Sequence, residues 1–314
     1  MHALFSPRGA RRSPAAWAPA LLILGACTGS SPAPQTEAEP VAKTTSSAPL
    51  SPWPARTLLL RSPGEAPLSP LRVAVGEAAL ELRFSSEALV LGELGGAPVD
   101  QVRLRSSRTV AVRAKPVDGE NSFDYTILSY HDEAGLPEAE QAAIDAALQG
   151  LVGAWRSDGR CAVSGAGVGP APEAAARVLP SVSAGLVDLC PLLPEEPIGR
   201  GARWTVTVGS TAPGDELEVT DWLLLEREPG RAVLSFELRS ERVDANGGRR
   251  QNLGEGRVEL HDGLLLPLRA DARGVSTREG STAGQALRTT TEWSSSITAA
   301  LPEPSPAAPA TTPN

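Results

Sequence analysis

The chain is poor in the residues that most often carry chemistry. Its 314 residues include three cysteines, three histidines, one methionine and two lysines, Lys43 and Lys115. Aromatic residues make up 4% of it, and no apolar run approaches the roughly 20 residues that a membrane-spanning helix needs. These shortages argue against a His- or Cys-rich metal site and against a permanent membrane span, and they leave arginine as the main cation.

The first 26 residues have the layout of a secretory signal. Arg8, Arg11 and Arg12 precede an apolar stretch from Ala15 to Ala26 that is interrupted by Pro19. This stretch is too short to span a bilayer as a helix. It therefore predicts an export signal, with ordinary secretion favoured over a twin-arginine route because the residues after Arg11-Arg12 lack the pattern of that signal.

Leu24, Gly25, Ala26 and Cys27 resemble the lipobox of bacterial lipoproteins, in which Leu and two small residues precede a cysteine. The resemblance implies cleavage between Ala26 and Cys27 and attachment of acyl chains such as palmitate at Cys27. Two or more chains anchor a protein stably. Because Thr28 replaces the Asp that often marks inner-membrane retention in enteric bacteria, the outer membrane is favoured over the inner. The alternative is an ordinary signal peptide that happens to contain a cysteine.

Loss of residues 1–26 makes the remaining chain more acidic. This segment contains three arginines and no acids, so its removal changes the formal net charge from −8 to −11. A strongly acidic chain is a poor partner for nucleic acid or anionic headgroups. The predicted partners are the membrane, through the anchor, and either an envelope protein or an apolar ligand.

Composition divides the exported chain into three parts. Residues 27–56 carry the lipidated Cys27 and are then rich in Pro, Ser, Thr and Ala, which predicts a disordered tether. Residues 301–314 have the same character and predict a disordered tail. Residues 57–300 have the length of one large domain or two small ones.

Short alternating runs in this domain predict β-strands. Between residues 57 and 130, including a run at 71–76, apolar side chains repeat with a period of two, as in Leu80 and Leu82 or Val110 and Val112. Similar runs return from Ala202 to Ala300, with Asn246-Gly247 and Asp262-Gly263 expected as hairpin turns. The gaps are too short for helical crossovers, which favours antiparallel pairing.

A helical period separates these two groups of strands. Pro137 to Trp155 places five apolar side chains on one stripe, with Pro137 and two glutamates at the start. The stripe consists of Ile144, Leu148, Leu151, Val152 and Trp155. A shorter helix is expected at about Val182 to Leu189. The predicted fold class is α+β, a mostly antiparallel curved sheet or half-barrel packed by one or two central helices.

Cys161 and Cys190 are the cysteines left once Cys27 is lipidated. In an oxidising compartment two such thiols most simply form a disulfide bond. The bond would close a loop of 28 residues and contribute roughly 3 to 4 kcal/mol in a loop-entropy estimate. The alternative, a redox-active or metal-binding pair, needs neighbouring ligands that the sequence does not offer.

Candidate catalytic groups are scattered. His131 is expected in a solvated loop and His261 at a hairpin tip, and Glu195-Glu196 flank prolines that favour solvent exposure. Residues 164–172 are Gly-rich, but they lack the dinucleotide fingerprint and the Lys of a phosphate-binding loop, so a simple loop is predicted. No catalytic, cofactor-binding or metal-ligating residue is predicted, and the chain is not expected to be an enzyme.

A segment before the second group of strands carries a further resemblance. Pro194, Pro197, Gly199, Gly201 and Trp204 resemble a Leu-Pro…Pro-Val/Ile-Gly-x-Gly-x-x-Trp segment of uncharacterised bacterial lipoproteins. That family implies a β-rich domain of unknown function over about residues 71–300. Independently of it, Trp204 is expected to begin a strand and fill the core, with an aromatic platform for a ligand as the alternative.

Three functions follow from these patterns. The leading hypothesis is an envelope lipoprotein with a non-catalytic binding or structural domain. The second is a carrier or binder of an apolar ligand, similar to lipoprotein-carrier half-barrels. The third is a hydrolase with an unrecognised site, which would have to bring His131 or His261 to a Ser, Asp or Glu.

Overall fold

The computed structural model describes residues 51–52, 56–73, 78–117, 122–132, 137–169, 172, 191–209, 216–244, 247–261, 267–282 and 284–300. The predicted cleavage site, Cys27 and the C-terminal tail at 301–314 lie outside these residues. No helix in the described part is long and apolar enough to cross a membrane.

Thirteen strands and one helix account for most of the described chain. The first seven strands are β1 (Ser51–Pro52), β2 (Arg56–Ser62), β3 (Ala78–Leu94), β4 (Ala97–Val117), β5 (Ser122–Asp132), β6 (Val152–Ser157) and β7 (Val163–Val168). The others are β8 (Arg203–Gly209), β9 (Glu216–Glu228), β10 (Arg231–Val243), β11 (Arg249–His261), β12 (Arg269–Thr282) and β13 (Gln285–Ala300). Helix α1 (Glu138–Leu148) lies between β5 and β6.

All strands belong to one curved, unclosed antiparallel sheet. Its order is β1-β7-β6-β5-β4-β3-β13-β12-β11-β10-β9-β8-β2. Most neighbours are consecutive in the chain, but β13 pairs with β3 over fourteen positions from Leu287↔Leu94 to Ala300↔Glu81 and joins the two groups of strands. The predicted antiparallel strands are confirmed. The fold is largely all-β, however, and not α+β, because a single helix in the described residues packs against so large a sheet.

One face of the sheet forms the hydrophobic core. Directly paired residues share a face, and one such row runs from Leu60 through Trp204, Trp222 and Phe236 to Gly256. The rings of Trp204 and Trp222 stack with centroids 6.2 Å apart, and Trp222 contacts Phe236 at 5.0 Å. Aromatic side chains aligned across strands stabilise this middle part of the sheet.

Two loop segments, residues 63–73 and 191–202, cover part of this apolar face. They are joined by an isolated bridge between Ser69 and Ile198, and they add six apolar side chains to the core. These are Leu71, Val73, Leu192, Leu193, Ile198 and Ala202. Gly199 lies so close to the Glu65 carbonyl that a Cβ would collide with it. The Gly and Pro positions of the lipoprotein-like segment therefore shape a covering loop.

Trp204 begins the second group of strands as expected. Its side chain is 1% exposed, and its indole N–H donates to the Leu192 carbonyl at 2.9 Å. The prediction of a core-filling tryptophan on a strand is confirmed.

The central helix is shorter than predicted. It starts after Pro137, as expected, and buries Ile144 and Leu148, but it ends at Leu148 because Gln149 is extended and Gly150 has a φ of +77°. Positive φ is a glycine conformation that terminates helices. The residues beyond, from Val152 to Ser157, pair with β5 and β7 as β6, so Val152 and Trp155 belong to a strand.

Two other local predictions differ from the structure: one predicted strand is a loop, and one predicted loop contains a strand. Leu71 to Val73 is not a strand but part of the covering loop, whereas Val163–Val168, within the predicted Gly-rich loop, forms β7 between β1 and β6. Backbone pairing on both sides outweighs the low strand propensity of glycine there. The expected helix at 182–189 and the Asp262-Gly263 turn lie outside the described residues. The sheet also starts earlier than residue 57, with β1 at Ser51–Pro52.

Candidate functional site

A broad groove of about 1320 Å³ crosses the middle of the sheet. Nine neighbouring strands line it, from β2 at one side through β8 to β13 and β3 to β4 at the other. The groove lies on the same strands as the row of Trp204, Trp222 and Phe236, which belongs to the apolar face. Most of the side chains that line the groove belong to the other, polar face of the sheet.

Strand register assembles one wall of the groove. Paired residues form a row that crosses eight strands. The row consists of Arg105, Glu87, Ser294, Arg273, Glu255, Glu237, Asp221 and Thr205. Each member is the chain neighbour of a residue in the row that contains Trp204 and Phe236, so strand alternation directs it to the other face.

The groove is charged but nearly balanced. Its lining includes six arginines, namely Arg61, Arg105, Arg203, Arg239, Arg257 and Arg273, and five acids, namely Glu87, Asp221, Glu237, Glu255 and Asp271. Seven serines contribute hydroxyl groups between them. These charged groups and hydroxyls can contact a polar ligand.

Ion pairs connect several lining residues across strands. Arg103 and Arg105 each approach Glu87 at 3.4 Å, and the Arg273 Nε donates to Glu255 at 2.7 Å. The side chains of Arg105 and Arg273 remain 70% and 75% exposed. Such exposed pairs are weak, so a ligand can exchange with them at small cost.

Asp221 is a groove carboxylate that accepts hydrogen bonds at both oxygens. The Thr205 hydroxyl donates to Asp221 Oδ1 at 2.6 Å, and Arg239 donates to Oδ2 at 3.3 Å. The Arg61 Nε in turn donates to the Thr205 hydroxyl at 3.3 Å. Because both carboxylate oxygens accept hydrogen bonds, Asp221 anchors the side of the groove near β2 and β8.

A second network borders the groove between β9 and β11. The Arg231 Nε donates to Glu259 at 2.6 Å, and Glu226 accepts from Arg231 at 3.1 Å and from Arg257 at 2.9 Å. The hydrogen bond from Arg231 is the main cause that lowers the pKa of Glu259 below its ordinary value. The hydrogen bonds that Arg231 donates to Glu259 and Glu226 raise the pKa of Arg231. The network fixes the position of Arg257 at the groove.

Three charged residues of the lining have no ion-pair partner within the described part of the chain: Arg61 on β2, which donates to the Thr205 hydroxyl, Arg203 on β8 and Glu237 on β10. Glu237 lies in register between the carboxylates of Glu255 and Asp221, where like charges repel each other. A cation from outside the chain would relieve this repulsion. The groove can therefore accept a positive group at Glu237 and a negative group at Arg203.

Among the residues singled out by sequence, Trp204 belongs to the groove lining, and Cys161, Glu195 and the two histidines do not. Cys161 is fully buried in the core, and its predicted partner Cys190 lies outside the described residues, so the disulfide stays a prediction. Ala26 and Cys27 also lie outside them. Glu195 is 79% exposed and pairs with Arg160 at 3.4 Å, as expected for a solvated carboxylate.

The two histidines are far apart. His131 lies in strand β5, not in the expected loop, and His261 is the last residue of β11. Both are exposed, and four strands separate β5 from β11. No group of His, Cys, Asp and Glu in the described residues has the arrangement of a metal site. The two histidines therefore do not share a hydrolytic site.

Sequence reasoning missed the groove because each charged residue looked like an ordinary exposed strand position. The available signal was the alternation of arginine and acid with apolar residues, as in "FELRSERV" and "GEGRVEL". Alternation predicts a polar face on each strand. The register that aligns these faces into one groove depends on pairs far apart in the chain.

The chain has little similarity to known proteins in sequence or in structure. No protein-family model and no curated protein matches the chain. Among solved structures, the chain is similar to the lipovitellin structure described as "Lipid-protein interactions in lipovitellin". The TM-score is 0.29, and the sequences are 12% identical over 74% of this chain and 26% of that one. The chain thus spans about a quarter of that protein's length. Similarity at this level supports no argument about fold or function.

Proposed function

We propose that this chain is a lipid-anchored envelope lipoprotein whose sheet is a non-catalytic binding domain for an extended ligand of mixed charge. The anchor rests on the lipobox-like residues Leu24 to Cys27, and the outer membrane is favoured because Thr28 follows the cysteine. The binding activity rests on one observation, the charge-balanced groove that crosses nine strands. This domain would act at the membrane surface on a ligand that reaches it from the envelope.

Two of the groove charges without an ion pair, Arg203 and Glu237, define the ligand class. Arg203 and Glu237 lie two strands apart and are offset by two residues along the strands, which corresponds to roughly 12 Å. An extended peptide with a carboxylate and an ammonium group can span this distance. The neighbouring serines offer hydrogen bonds to its backbone. The best-fitting ligand is a polar peptide with both charges.

The apolar-carrier alternative receives less support from the geometry. The apolar face is packed by the chain's own side chains, and Leu82, Ile127, Leu193 and Leu224 are each fully buried. A carrier needs that face to be open to its ligand. Native mass spectrometry of the full chain isolated from membranes would distinguish the two, since a bound lipid would favour the carrier.

A direct binding test uses synthetic hexapeptides and the full-length chain. A peptide of alternating Glu and Lys should bind, and an uncharged Gln and Ser analogue should not. Glu237→Gln and Arg203→Gln should each weaken binding about tenfold, the scale of one charge-assisted hydrogen bond. Glu241→Gln and Arg249→Gln, an exposed pair at 2.8 Å outside the groove lining, are matched controls. Equal weakening by the controls would contradict the groove as the site.

The anchor is tested separately by cell fractionation. Cys27→Ala should release the protein from membranes without detergent, because the acyl chains provide the attachment. Cys27→Ala protein that remains in the membrane fraction would contradict the lipoprotein assignment and leave the groove experiment unaffected.

A further inference from the structure

The longest strand has an edge that is only partly covered. β4 contains 21 residues and pairs with β3 along most of its length, but β5 pairs with it only from Arg108 to Val117. Within the described residues, no strand pairs with the second edge of residues 97–107. This edge is roughly 35 Å long. It is a row of backbone donors and acceptors that can pair with another strand.

Apolar side chains accompany this open edge on one face. Val102 and Leu104 are 46% and 38% exposed, although both point to the face that carries the core. Their partners on β3, Val90 and Ala88, are half-buried and buried. The apolar face thus continues to the edge and ends there without a cover in the described structure.

The polar face of the same edge has an excess of positive charge. Arg103 and Arg105 are 61% and 70% exposed and both approach the single carboxylate of Glu87 at 3.4 Å. One carboxylate does not neutralise two guanidinium groups. A further carboxylate beside them would be attracted, and a further cation would be repelled.

We propose that residues 97–107 of β4 bind an extended segment of a partner protein as an added antiparallel strand. The partner strand has apolar side chains on the face of Val102 and Leu104 and acidic side chains opposite Arg103 and Arg105. This is recognition by β-strand addition, in which backbone hydrogen bonds give affinity and alternate side chains give specificity. The proposed site shares Arg105 and Ser107 with the groove lining, but the backbone edge of β4, and not the floor of the groove, provides the pairing.

A second copy of this chain is a poorer occupant of the edge. Antiparallel pairing of two β4 edges centred on residues 103 to 105 would set the guanidinium groups of Arg103 or Arg105 against those of the other copy. Like charges directly opposite each other destabilise a strand pair. The charge pattern therefore selects an acidic partner strand.

The test measures hydrogen exchange of the full-length chain with three synthetic peptides. The first alternates Val and Glu, the second alternates Val and Lys, and the third is the Val-Glu peptide with N-methyl groups on alternate residues. The Val-Glu peptide should bind and slow amide exchange at residues 97–107. The N-methylated peptide should not bind, because it lacks the donors that pair with β4.

Charge-reversed variants identify the contacts. Arg103→Glu combined with Arg105→Glu should weaken the Val-Glu peptide at least about tenfold and favour the Val-Lys peptide. Arg249→Glu combined with Arg288→Glu, two arginines of similar exposure on β11 and β13, should leave binding unchanged. Absence of binding at millimolar peptide, equal binding of the N-methylated peptide, protection elsewhere, or self-association through this edge would each overturn the proposal.

Discussion

The two faces of this sheet use the same strands and the same register for opposite purposes. On the apolar face, Trp204, Trp222 and Phe236 form a buried row in which ring contacts hold neighbouring strands together. On the polar face, the adjacent row contains Thr205, Asp221 and Glu237. A shift of one residue along each strand separates a packed core from a charged groove.

This difference implies that stability and binding are separable in the molecule. Burial of large apolar side chains contributes several kcal/mol each, whereas exposed ion pairs contribute about 1 kcal/mol or less. We therefore expect changes on the apolar face to unfold the chain. Changes on the polar face should alter what it binds.

The largest effect is expected from Trp204→Ala. The indole is 1% exposed, stacks on Trp222 and donates to the Leu192 carbonyl. Its removal leaves a cavity and an unpaired carbonyl, and should cost about 3 to 5 kcal/mol in the free energy of unfolding, measured by urea denaturation. Leu253→Ala, at a side chain that is 63% exposed, should change it by about 0.5 kcal/mol or less. Similar losses for both variants would contradict the assignment of the core to one face.

A smaller effect is expected from Gly256→Ala in the same row. Gly256 pairs with Phe236, and an added Cβ would collide with the Asp271 carbonyl oxygen and lie 2.5 Å from the Phe236 Cζ. The ring and the neighbouring backbone must move, so we expect a loss of about 1 to 3 kcal/mol. Gly280→Ala is the matched control, because a Cβ there meets no atom within 4 Å. Equal stability of the two variants in urea denaturation would show that the Phe236 ring and the β12 backbone do not pack closely against Gly256.

The sequence predicts what is local to each strand. Leu80 and Leu82, or Val110 and Val112, reveal their buried face through the period of two, and all four are buried. Pro137 marks the start of the helix. The helix end was misplaced because the apolar stripe continues past Gly150, and a stripe alone does not register a change of backbone direction.

The candidate site depends on long-range register, which periodicity does not specify. Glu87 and Ser294 are paired neighbours in the groove although they come from opposite ends of the domain. Nothing in the local sequence of β3 indicates that β13 lies beside it. The polar character of each groove residue was therefore predictable as exposure, but their convergence was not.

Acid should lower the free energy of unfolding by protonating Glu259 on the polar face. Its pKa is lowered from the ordinary value of 4.5, mainly by the hydrogen bond from Arg231. The unfolded chain therefore takes up this proton first as the pH falls. The contribution of Glu259 to the free energy of unfolding is fully present at a pH above its ordinary pKa. This contribution is lost as the pH falls through the lowered pKa of the folded state. In urea denaturation, the free energy of unfolding of the Glu259→Gln variant should therefore decrease less with falling pH than that of the unchanged chain.

The Arg231 partner provides the control for this pH effect. Arg231→Gln should remove the same acid-dependent contribution, since its hydrogen bond is the main cause of the shift. The double variant should then have the same pH dependence of stability as either single variant. If the effects of the two substitutions added up instead, other groups would be responsible for the acid sensitivity.

The smallest effect concerns Arg273 and Glu255 in the groove itself. Their side chains are 75% and 55% exposed, so a double-mutant cycle to Ala should give a coupling of about 0.2 to 1 kcal/mol that decreases in high salt. Arg249 and Glu241, at 2.8 Å outside the groove lining, should couple to a similar extent. A weak pair in the groove is one that a charged ligand can replace. A coupling much stronger in the groove than outside it would mean that these charges hold the sheet together, and the polar face would then be structural like the apolar one.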